Sequence, residues 1–206
     1  LLNKDIYNQF KYKKYFVQVG IGGSALGPQM LLDALAETDT NFYFFNNIDS
    51  DVIAETLKRL IPDETLFYVV SKSGGTAETI AGLNIAQNWL IQKGVEQRDF
   101  SKYFVFCTDP NNGELREFVK KNDYDFLSVP SNIGGRFSVL SHVGLFPALF
   151  AGIDIDKLYL GANNIKSSLL NTDVKNNDLL KTAELIFRLY SEHHITQTVL
   201  MPYSSK

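Results

Sequence analysis

The stretch that decides the fold is Leu66–Thr79, with the sequence LFYVVSKSGGTAET. It begins with an unbroken apolar run rich in β-branched and aromatic residues, which predicts a strand over Leu66–Val70 that is buried on both faces. Polar residues and glycines follow this run, and apolar residues then recur at helical spacing from Ile80 to Leu90. The stretch is therefore typical of a strand, a loop and a helix in a parallel α/β sheet.

The same succession of strand, turn and helix recurs on both sides of this stretch. The other predicted strands are Tyr15–Val19, Phe42–Phe45, Tyr103–Cys107 and Asp125–Val129. Alternating strands and helices predict an α/β fold, a doubly wound three-layer α/β/α sandwich with a mostly parallel five-stranded sheet. Because ligands of such sheets bind beyond the carboxyl ends of the strands, the residues after each strand are the candidates for a functional site.

The chain becomes helical in character from Phe137 onward. A last helix is expected to carry one apolar face, formed by Leu179, Ala183, Ile186, Phe187 and Tyr190. A strand-like run, Thr196–Met201, follows it. Because the chain lacks an initial Met and stops soon after this run, we expect a piece of a longer protein. Residues 1–195 are expected to form one domain, and residues 196–206 to begin a second, truncated one.

Composition excludes several classes of protein. The 206 residues are 45% hydrophobic and 21% charged, with a formal net charge of -3, so no basic surface favours nucleic-acid binding. The single cysteine, Cys107, permits no intramolecular disulfide and is expected to be a small core residue. No apolar run is long enough for a membrane span, and no Cys/His cluster indicates a metal site. A cytoplasmic protein is expected.

The loop after the central predicted strand concentrates groups that bind phosphate. Ser71, Lys72, Ser73 and Thr76 bring hydroxyls and an ammonium group to the start of a helix, next to two glycines. Hydroxyls, free backbone N–H groups and a helix N-terminus match the charge and acceptor oxygens of a phosphate monoester. The order of residues is not that of a nucleotide P-loop, whose glycines precede the lysine. The alternative is an ordinary helix cap with no ligand.

A second glycine-rich turn, Gly20–Pro28, follows the first predicted strand and opens a helix. Its glycines permit a tight turn that brings backbone N–H groups close to an anion, and Ser24 adds a hydroxyl. The turn also fits a relaxed dinucleotide-binding pattern, but the acidic residue expected after the second strand is replaced by asparagines, and Asp49 comes late. A tight turn without a ligand is the simpler alternative.

A third turn, Ser131–Ser138, follows the fifth predicted strand and contains Gly134, Gly135 and Arg136. A guanidinium at the same edge of the sheet could face an anion, or a charge that develops during a reaction. The alternative is a surface arginine in a flexible turn.

Together these segments resemble the glucose-6-phosphate isomerase family. The resemblance rests on Gly22-Gly23-Ser24-x-x-Gly27-Pro28, on Ser71-Lys72-Ser73 with Thr76 and Glu78-Thr79, and on Gly134-Gly135-Arg136-Phe137-Ser138. It covers at least Val17 to Asp154. It implies the amino-terminal sugar isomerase (SIS) domain of a bacterial-type enzyme, with a second similar domain downstream.

The resemblance also implies roles for individual residues. The sugar phosphate would be held by Ser71, Lys72, Ser73 and Thr76, and the sugar site would be lined by Gly23, Ser24 and Gly135. Arg136 would be the catalytic residue of this segment, because the family interconverts glucose 6-phosphate and fructose 6-phosphate through a cis-enediol(ate) that carries negative charge. Glycolysis and gluconeogenesis use this reaction. No cofactor is expected, and the resemblance implies a homodimeric full-length enzyme.

The family's general base, its ring-opening histidine and a late lysine have no candidates in these residues. His142 lies in an apolar helical run and is expected to be a packed helix residue. His193 and His194 are expected on the surface near a helix end, where they favour the helix dipole. We therefore expect the isolated chain to bind phosphosugar and hardly turn it over.

Two other functions stay open from the sequence. The first is a non-catalytic phosphosugar-sensing SIS module, against which Arg136 argues because a sensor stabilises no enediolate. The second is a dinucleotide-binding oxidoreductase domain, against which the late Asp49 and the hydroxyl-rich loop argue.

Overall fold

The computed structural model describes residues 4–201 and contains a five-stranded sheet in which every paired strand is parallel. The strands are β1 (Tyr15–Val19), β2 (Asn41–Phe45), β3 (Thr65–Val70), β4 (Phe104–Thr108) and β5 (Phe126–Ser128). Their order across the sheet is β2-β1-β3-β4-β5. The predicted parallel α/β sheet is confirmed.

Helices alternate with the strands and then continue alone. They are α1 (Lys4–Phe10), α2 (Leu26–Leu35), α3 (Ser50–Arg59), α4 (Ala77–Gln92), α5 (Glu114–Lys121), α6 (His142–Phe150), α7 (Ile155–Leu169) and α8 (Asp178–His193). Asp49 caps α3, because its carboxylate accepts hydrogen bonds from the backbone N–H groups of Asp51 and Val52. Its position late after β2 therefore has a structural explanation, a helix N-cap.

The central strand β3 is buried along its whole length because cores lie on both faces of the sheet. Phe67 and Val69 belong to one buried cluster, whereas Leu66, Tyr68 and Val70 belong to the other. Since successive side chains of a strand point to opposite faces, a strand between two cores must be apolar throughout. This explains the unbroken apolar run in the sequence.

The strand order places a switch point between β1 and β3. From β1 the chain moves outward to β2, and it returns to β3 on the other side of β1. The helices after β1 and β3 therefore lead away on opposite faces, and in folds of this kind such a point is where ligands bind, beyond the carboxyl ends of the strands. The glycine-rich turn after β1 and the hydroxyl-rich loop after β3 lie at this point.

The chain divides into two compact units, with the boundary between Ile153 and Asp154. The first contains the sheet and α1 to α6, and the second contains α7 and α8. Within the second unit the buried Asn177 caps α8, and its amide donates a hydrogen bond to the Asn171 carbonyl oxygen at 2.7 Å. The domain boundary predicted after residue 195 falls inside this unit and stays a prediction.

The prediction of a strand at Thr196–Met201 is wrong. The residues after α8 form neither helix nor strand up to Met201, and the remaining positions, 202–206, lie outside the described residues. Apolar pattern alone does not make a strand, because the backbone groups also need a neighbouring strand. None of the strand pairs in residues 4–201 includes this run. The apolar face predicted for α8 is present, and Ile186, Phe187 and Tyr190 on it are exposed.

Candidate functional site

The three turns singled out from the sequence lie at the carboxyl ends of β1, β3 and β5. All strands of the sheet are parallel, so these ends share one edge. We call the turns the first turn (residues 20–28), the hydroxyl loop (residues 71–76) and the arginine turn (residues 131–138). The candidate site is the region where they meet.

Backbone packing fixes the first turn in place. A Cβ on Gly20 would lie 2.8 Å from the carbonyl oxygen of Val70, so only glycine permits this approach of β1 to the end of β3. Gln18, fully buried in β1, donates a hydrogen bond from its amide to the Ser24 carbonyl oxygen at 2.7 Å. The sequence analysis did not single out Gln18; a polar residue inside an otherwise apolar strand is the signal that could have found it.

The hydroxyls of the hydroxyl loop converge on one another. The Thr76 hydroxyl lies 3.2 Å from that of Ser71 and 3.2 Å from that of Ser73. Ser71 is buried, and its oxygen also accepts a hydrogen bond from the Gly74 N–H at 3.1 Å. Ser73 is exposed, so the hydroxyl cluster opens to solvent on one side. A cluster of this kind can donate to the oxygens of an anion.

The start of α4 faces the same cluster. Thr76 occupies the N-cap position of α4, yet its side chain makes no capping hydrogen bond. It is engaged instead with the serine hydroxyls, so the simple capping explanation fails for this residue. The first N–H groups of a helix carry a partial positive charge and need acceptors. An anion beside the hydroxyls would provide them.

The backbone of the hydroxyl loop packs against Gly113, a residue that the sequence analysis missed. Gly113 has a φ of +106°, and a Cβ on it would lie 2.7 Å from the Ser73 carbonyl oxygen. Gly74 has a φ of +76°, and a Cβ on it would lie 2.9 Å from the Leu115 backbone nitrogen. The Asn-Asn-Gly sequence at 111–113 is a turn signal, but the contact with the loop arises only in three dimensions.

The ammonium group of Lys72 binds the arginine turn. Its Nζ donates hydrogen bonds to the carbonyl oxygens of Ser131 at 2.7 Å and Ile133 at 2.8 Å. The side chain leaves the hydroxyl loop and crosses to a segment some 60 residues later in the chain. Lys72 therefore joins two of the turns, a connection that the sequence did not predict.

The first turn and the arginine turn pack backbone against backbone. A Cβ on Gly23 would lie 2.3 Å from the carbonyl carbon of Gly135. The Gly135 carbonyl oxygen also accepts a 2.7 Å hydrogen bond from the Ser138 hydroxyl, which is buried. Gly135 is thus fixed from both sides, directly before Arg136.

Arg136 lines a cavity of about 150 Å³ together with residues of these two turns. The cavity is lined by Gly23, Leu26, Gly27, Gly135, Arg136 and Val139. Arg136 is exposed, and a guanidinium can donate several hydrogen bonds in a fixed planar arrangement. Gly23, Gly135 and Arg136, all predicted from the sequence as site residues, are therefore brought together, and Ser24 ends the 3-10 turn that contains Gly23.

His142 and Cys107 have structural positions near this edge. His142 is the first residue of α6, and its Nδ1 lies 2.8 Å from the Ser128 carbonyl oxygen. The Tyr68 hydroxyl donates to the His142 carbonyl oxygen at 2.8 Å, which ties β3 to α6. Cys107 is fully buried in β4, and burial raises the pKa of its thiol to about 12. His193 and His194 are exposed at the end of α8.

Two further properties concern the described part of the chain as a whole. Between residues 4 and 201 no group of His, Cys, Asp and Glu side chains is arranged to hold a metal ion. In the same range, no helix combines the length and the apolar character that crossing a membrane requires.

Comparisons with known proteins agree on one family. The sequence model of the family described as Phosphoglucose isomerase matches residues 7–206. Glucose-6-phosphate isomerase of Thermus thermophilus is 40% identical over 191 residues, which cover 93% of this chain and 45% of the relative. That of Methanocaldococcus jannaschii is 35% identical over 202 residues, covering 98% of this chain and 48% of the relative. The chain spans about half the length of these curated relatives.

A solved structure with the same fold is also described as a glucose-6-phosphate isomerase. The crystal structure of a glucose-6-phosphate isomerase from Chlamydia trachomatis superimposes with a TM-score of 0.78 at 30% identity, over 91% of this chain and 36% of that one. The parallel sheet and the three turns at its edge thus occur in a chain whose sequence and fold both match this family. The chain belongs to the phosphoglucose isomerase family.

Proposed function

We propose that this chain is the phosphosugar-binding part of a glucose-6-phosphate isomerase, which interconverts glucose 6-phosphate and fructose 6-phosphate. The observation that carries the proposal is the meeting of the hydroxyl cluster around Thr76 with the arginine turn at one edge of the sheet, joined by Lys72. A phosphate group needs the first feature, and a reaction that develops negative charge needs the second. Family membership supports the same assignment.

The phosphate is proposed to bind at the hydroxyl loop. Ser71, Ser73 and Thr76 offer hydroxyl donors, and the first turn of α4 offers N–H groups at its positive end. Lys72 adds its backbone N–H and a positive charge beside the loop, although its ammonium hydrogen bonds go to the arginine turn. Gly23, Ser24 and Gly135 are proposed to line the sugar, because Gly23 and Gly135 line the same cavity as Arg136 and Ser24 belongs to the same 3-10 turn as Gly23.

The chemical step is proposed to use Arg136 electrostatically. Aldose–ketose exchange removes a proton from C2 and returns one to C1, while a hydroxyl proton moves between O1 and O2. The intermediate cis-enediolate carries negative charge on oxygen, and a fixed guanidinium stabilises that charge more than it stabilises the neutral sugar. A general base is needed in addition, and general acid–base catalysis typically contributes about 100- to 10,000-fold. No residue of this chain is assigned to that role.

We therefore propose that the isolated chain binds the sugar phosphate and turns it over poorly. Homodimerisation of the full enzyme and a cytoplasmic location for this glycolytic reaction belong to the same proposal. Phosphorus NMR of the chain titrated with glucose 6-phosphate tests it, because one spectrum reports binding and any growth of a fructose 6-phosphate signal. Shifts without conversion are expected. The proposal would be contradicted if the chain did not bind glucose 6-phosphate and the full natural protein did not convert it.

The two roles separate in the kinetics of the full natural protein. Arg136→Ala should lower kcat by about 100- to 1000-fold with a small change in KM, because the guanidinium acts in the transition state. Thr76→Ala should mainly raise KM, because its hydroxyl binds substrate and transition state alike. If both variants lowered kcat and raised KM to the same extent, the role assignments would be contradicted.

A further inference from the structure

We propose that Lys72 is a positioning residue for Arg136, and that its ammonium group holds the arginine turn in the geometry that the reaction needs. This inference rests on the proposed function. It gives Lys72 a role different from that of a direct phosphate ligand, because the two hydrogen bonds of its ammonium group go to backbone carbonyls of another turn.

The contacts are specific in their location. The Lys72 ammonium group donates hydrogen bonds to the carbonyl oxygens of Ser131 at 2.7 Å and Ile133 at 2.8 Å. Both acceptors belong to one tight turn, which is closed by a hydrogen bond from the Ile133 N–H to the Pro130 carbonyl oxygen at 3.0 Å. An ammonium group donates stronger hydrogen bonds than a neutral donor. Two such bonds fix both the distance and the orientation of the turn relative to β3.

The anchored carbonyls stand directly before the residues that carry the guanidinium. Ile133 is followed by Gly134 and Gly135, whose backbone is conformationally permissive, so this short segment needs an anchor on each side to hold one conformation. On the far side, Gly135 is held by the Ser138 hydroxyl at 2.7 Å and by the Gly23 backbone. Lys72 supplies the anchor on the near side. Without it, the segment before Gly135 would keep the hydrogen bonds within the turn and the packing of the half-buried Ile133 side chain, but it would lose both hydrogen bonds to the Lys72 side chain.

The position of Lys72 also couples the two functions of the site. The residue lies between Ser71 and Ser73 in sequence, so a phosphate that orders the hydroxyl loop also orders the base of the lysine side chain. Substrate bound by its phosphate would then find Arg136 held in place. A positioning error of about 1 Å can cost about 100-fold in rate, so the anchor is expected to act on kcat.

The test is Lys72→Met in the full natural protein, because methionine keeps the length of the side chain and removes every donor. We expect kcat to fall about 10- to 100-fold with a smaller change in KM. In an Arg136→Ala background the same substitution should change kcat less than twofold, because no guanidinium remains to be positioned. Lys72→Arg, which keeps donors, should recover part of kcat. Lys93→Met, the same change at the exposed Lys93 after α4, should leave kcat and KM unaltered.

A second readout does not depend on activity. Hydrogen exchange of the peptide that covers residues 131–137 should become faster in Lys72→Met and stay unchanged in Lys93→Met. A rise in KM alone, an equal loss of kcat with and without Arg136, or unchanged exchange at residues 131–137 would each overturn the positioning role. If the unmodified protein failed to isomerise glucose 6-phosphate, the proposed function would fail, and faster exchange would still support Lys72 as the anchor of the turn.

Discussion

The α-carbon of Gly23 lies against the carbonyl group of Gly135, so closely that an added Cβ would be 2.3 Å from the carbonyl carbon and 2.4 Å from its oxygen. This contact joins the first turn to the arginine turn. Both partners are backbone atoms, so no side-chain rotation can relieve a clash between them. The absence of a side chain at Gly23 therefore sets the separation of the two turns. It also sets the position of the Arg136 backbone, directly after Gly135.

Replacing Gly23 by alanine should therefore push the two turns apart. We expect the free energy of unfolding to fall by about 1–3 kcal/mol, the usual cost of overpacking, and kcat of the full natural protein to fall with it. Gly135→Ala is the matched control for stability, because a Cβ there would meet only the Gly23 α-carbon, at 3.9 Å. Urea unfolding should detect little change for Gly135→Ala. Equal destabilisation by both variants would contradict the steric argument.

Gly113→Ala should disturb the hydroxyl loop. The residue combines a φ of +106° with an added Cβ 2.7 Å from the Ser73 carbonyl oxygen, so strain and a clash act together. Gly94→Ala has the strain alone, because Gly94 has a φ of +85° and open space around it. Each should lose about 1–3 kcal/mol of stability from strain, but only Gly113→Ala should weaken glucose 6-phosphate binding in a phosphorus NMR titration. Unchanged affinity in Gly113→Ala would show that the contact with Ser73 does not shape the loop.

Ser71→Ala tests the internal support of the hydroxyl loop. The serine oxygen accepts the buried Gly74 N–H at 3.1 Å, so its removal leaves a buried donor without its acceptor, at a cost of about 1–3 kcal/mol. Phosphosugar affinity should fall as well. Ser73→Ala is the control, because its exposed hydroxyl contacts Thr76, and its loss should weaken binding while changing stability by less than about 0.5 kcal/mol. Thermal unfolding that ranks Ser73→Ala as the more damaging variant would contradict this division.

The five strands could be predicted from the sequence because each is buried or partly buried, and such a strand shows itself as a short apolar run. Leu66–Val70 was placed within one residue of β3, and Tyr15–Val19 coincides with β1. Strands between two layers of helices need apolar residues on both faces, and this requirement is local and periodic. The parallel arrangement followed from the alternation with helices. The predicted strand at residues 196–201 failed, because a strand also needs a neighbour that its own residues do not reveal.

The structure brings together site residues whose mutual contacts the sequence could not show. Lys72 and Ile133 are 61 residues apart, and Gly23 and Gly135 are brought together only because β1, β3 and β5 share one edge. The residue types suggested phosphate and charge chemistry in each turn separately. Which donor meets which carbonyl depends on strand order and loop geometry, and these are set by packing across the whole sheet.

Cys107→Ser should change how stability depends on alkaline pH. Burial holds the thiol pKa at about 12 in the folded protein, against 9.0 for an exposed cysteine, while a hydrogen bond with Tyr68 acts in the opposite direction. Between these values the unfolded chain loses a proton that the folded chain keeps, so this group makes the free energy of unfolding fall as the pH rises above 9. The serine variant lacks that contribution, and other titrating groups are shared by both proteins. Urea unfolding at pH 9 and pH 10 should show the wild-type protein losing about 1 kcal/mol more than Cys107→Ser over that interval. Equal slopes in the two proteins would contradict the raised pKa of the buried Cys107 thiol, because they would mean that it ionises in the folded protein as readily as in the unfolded chain.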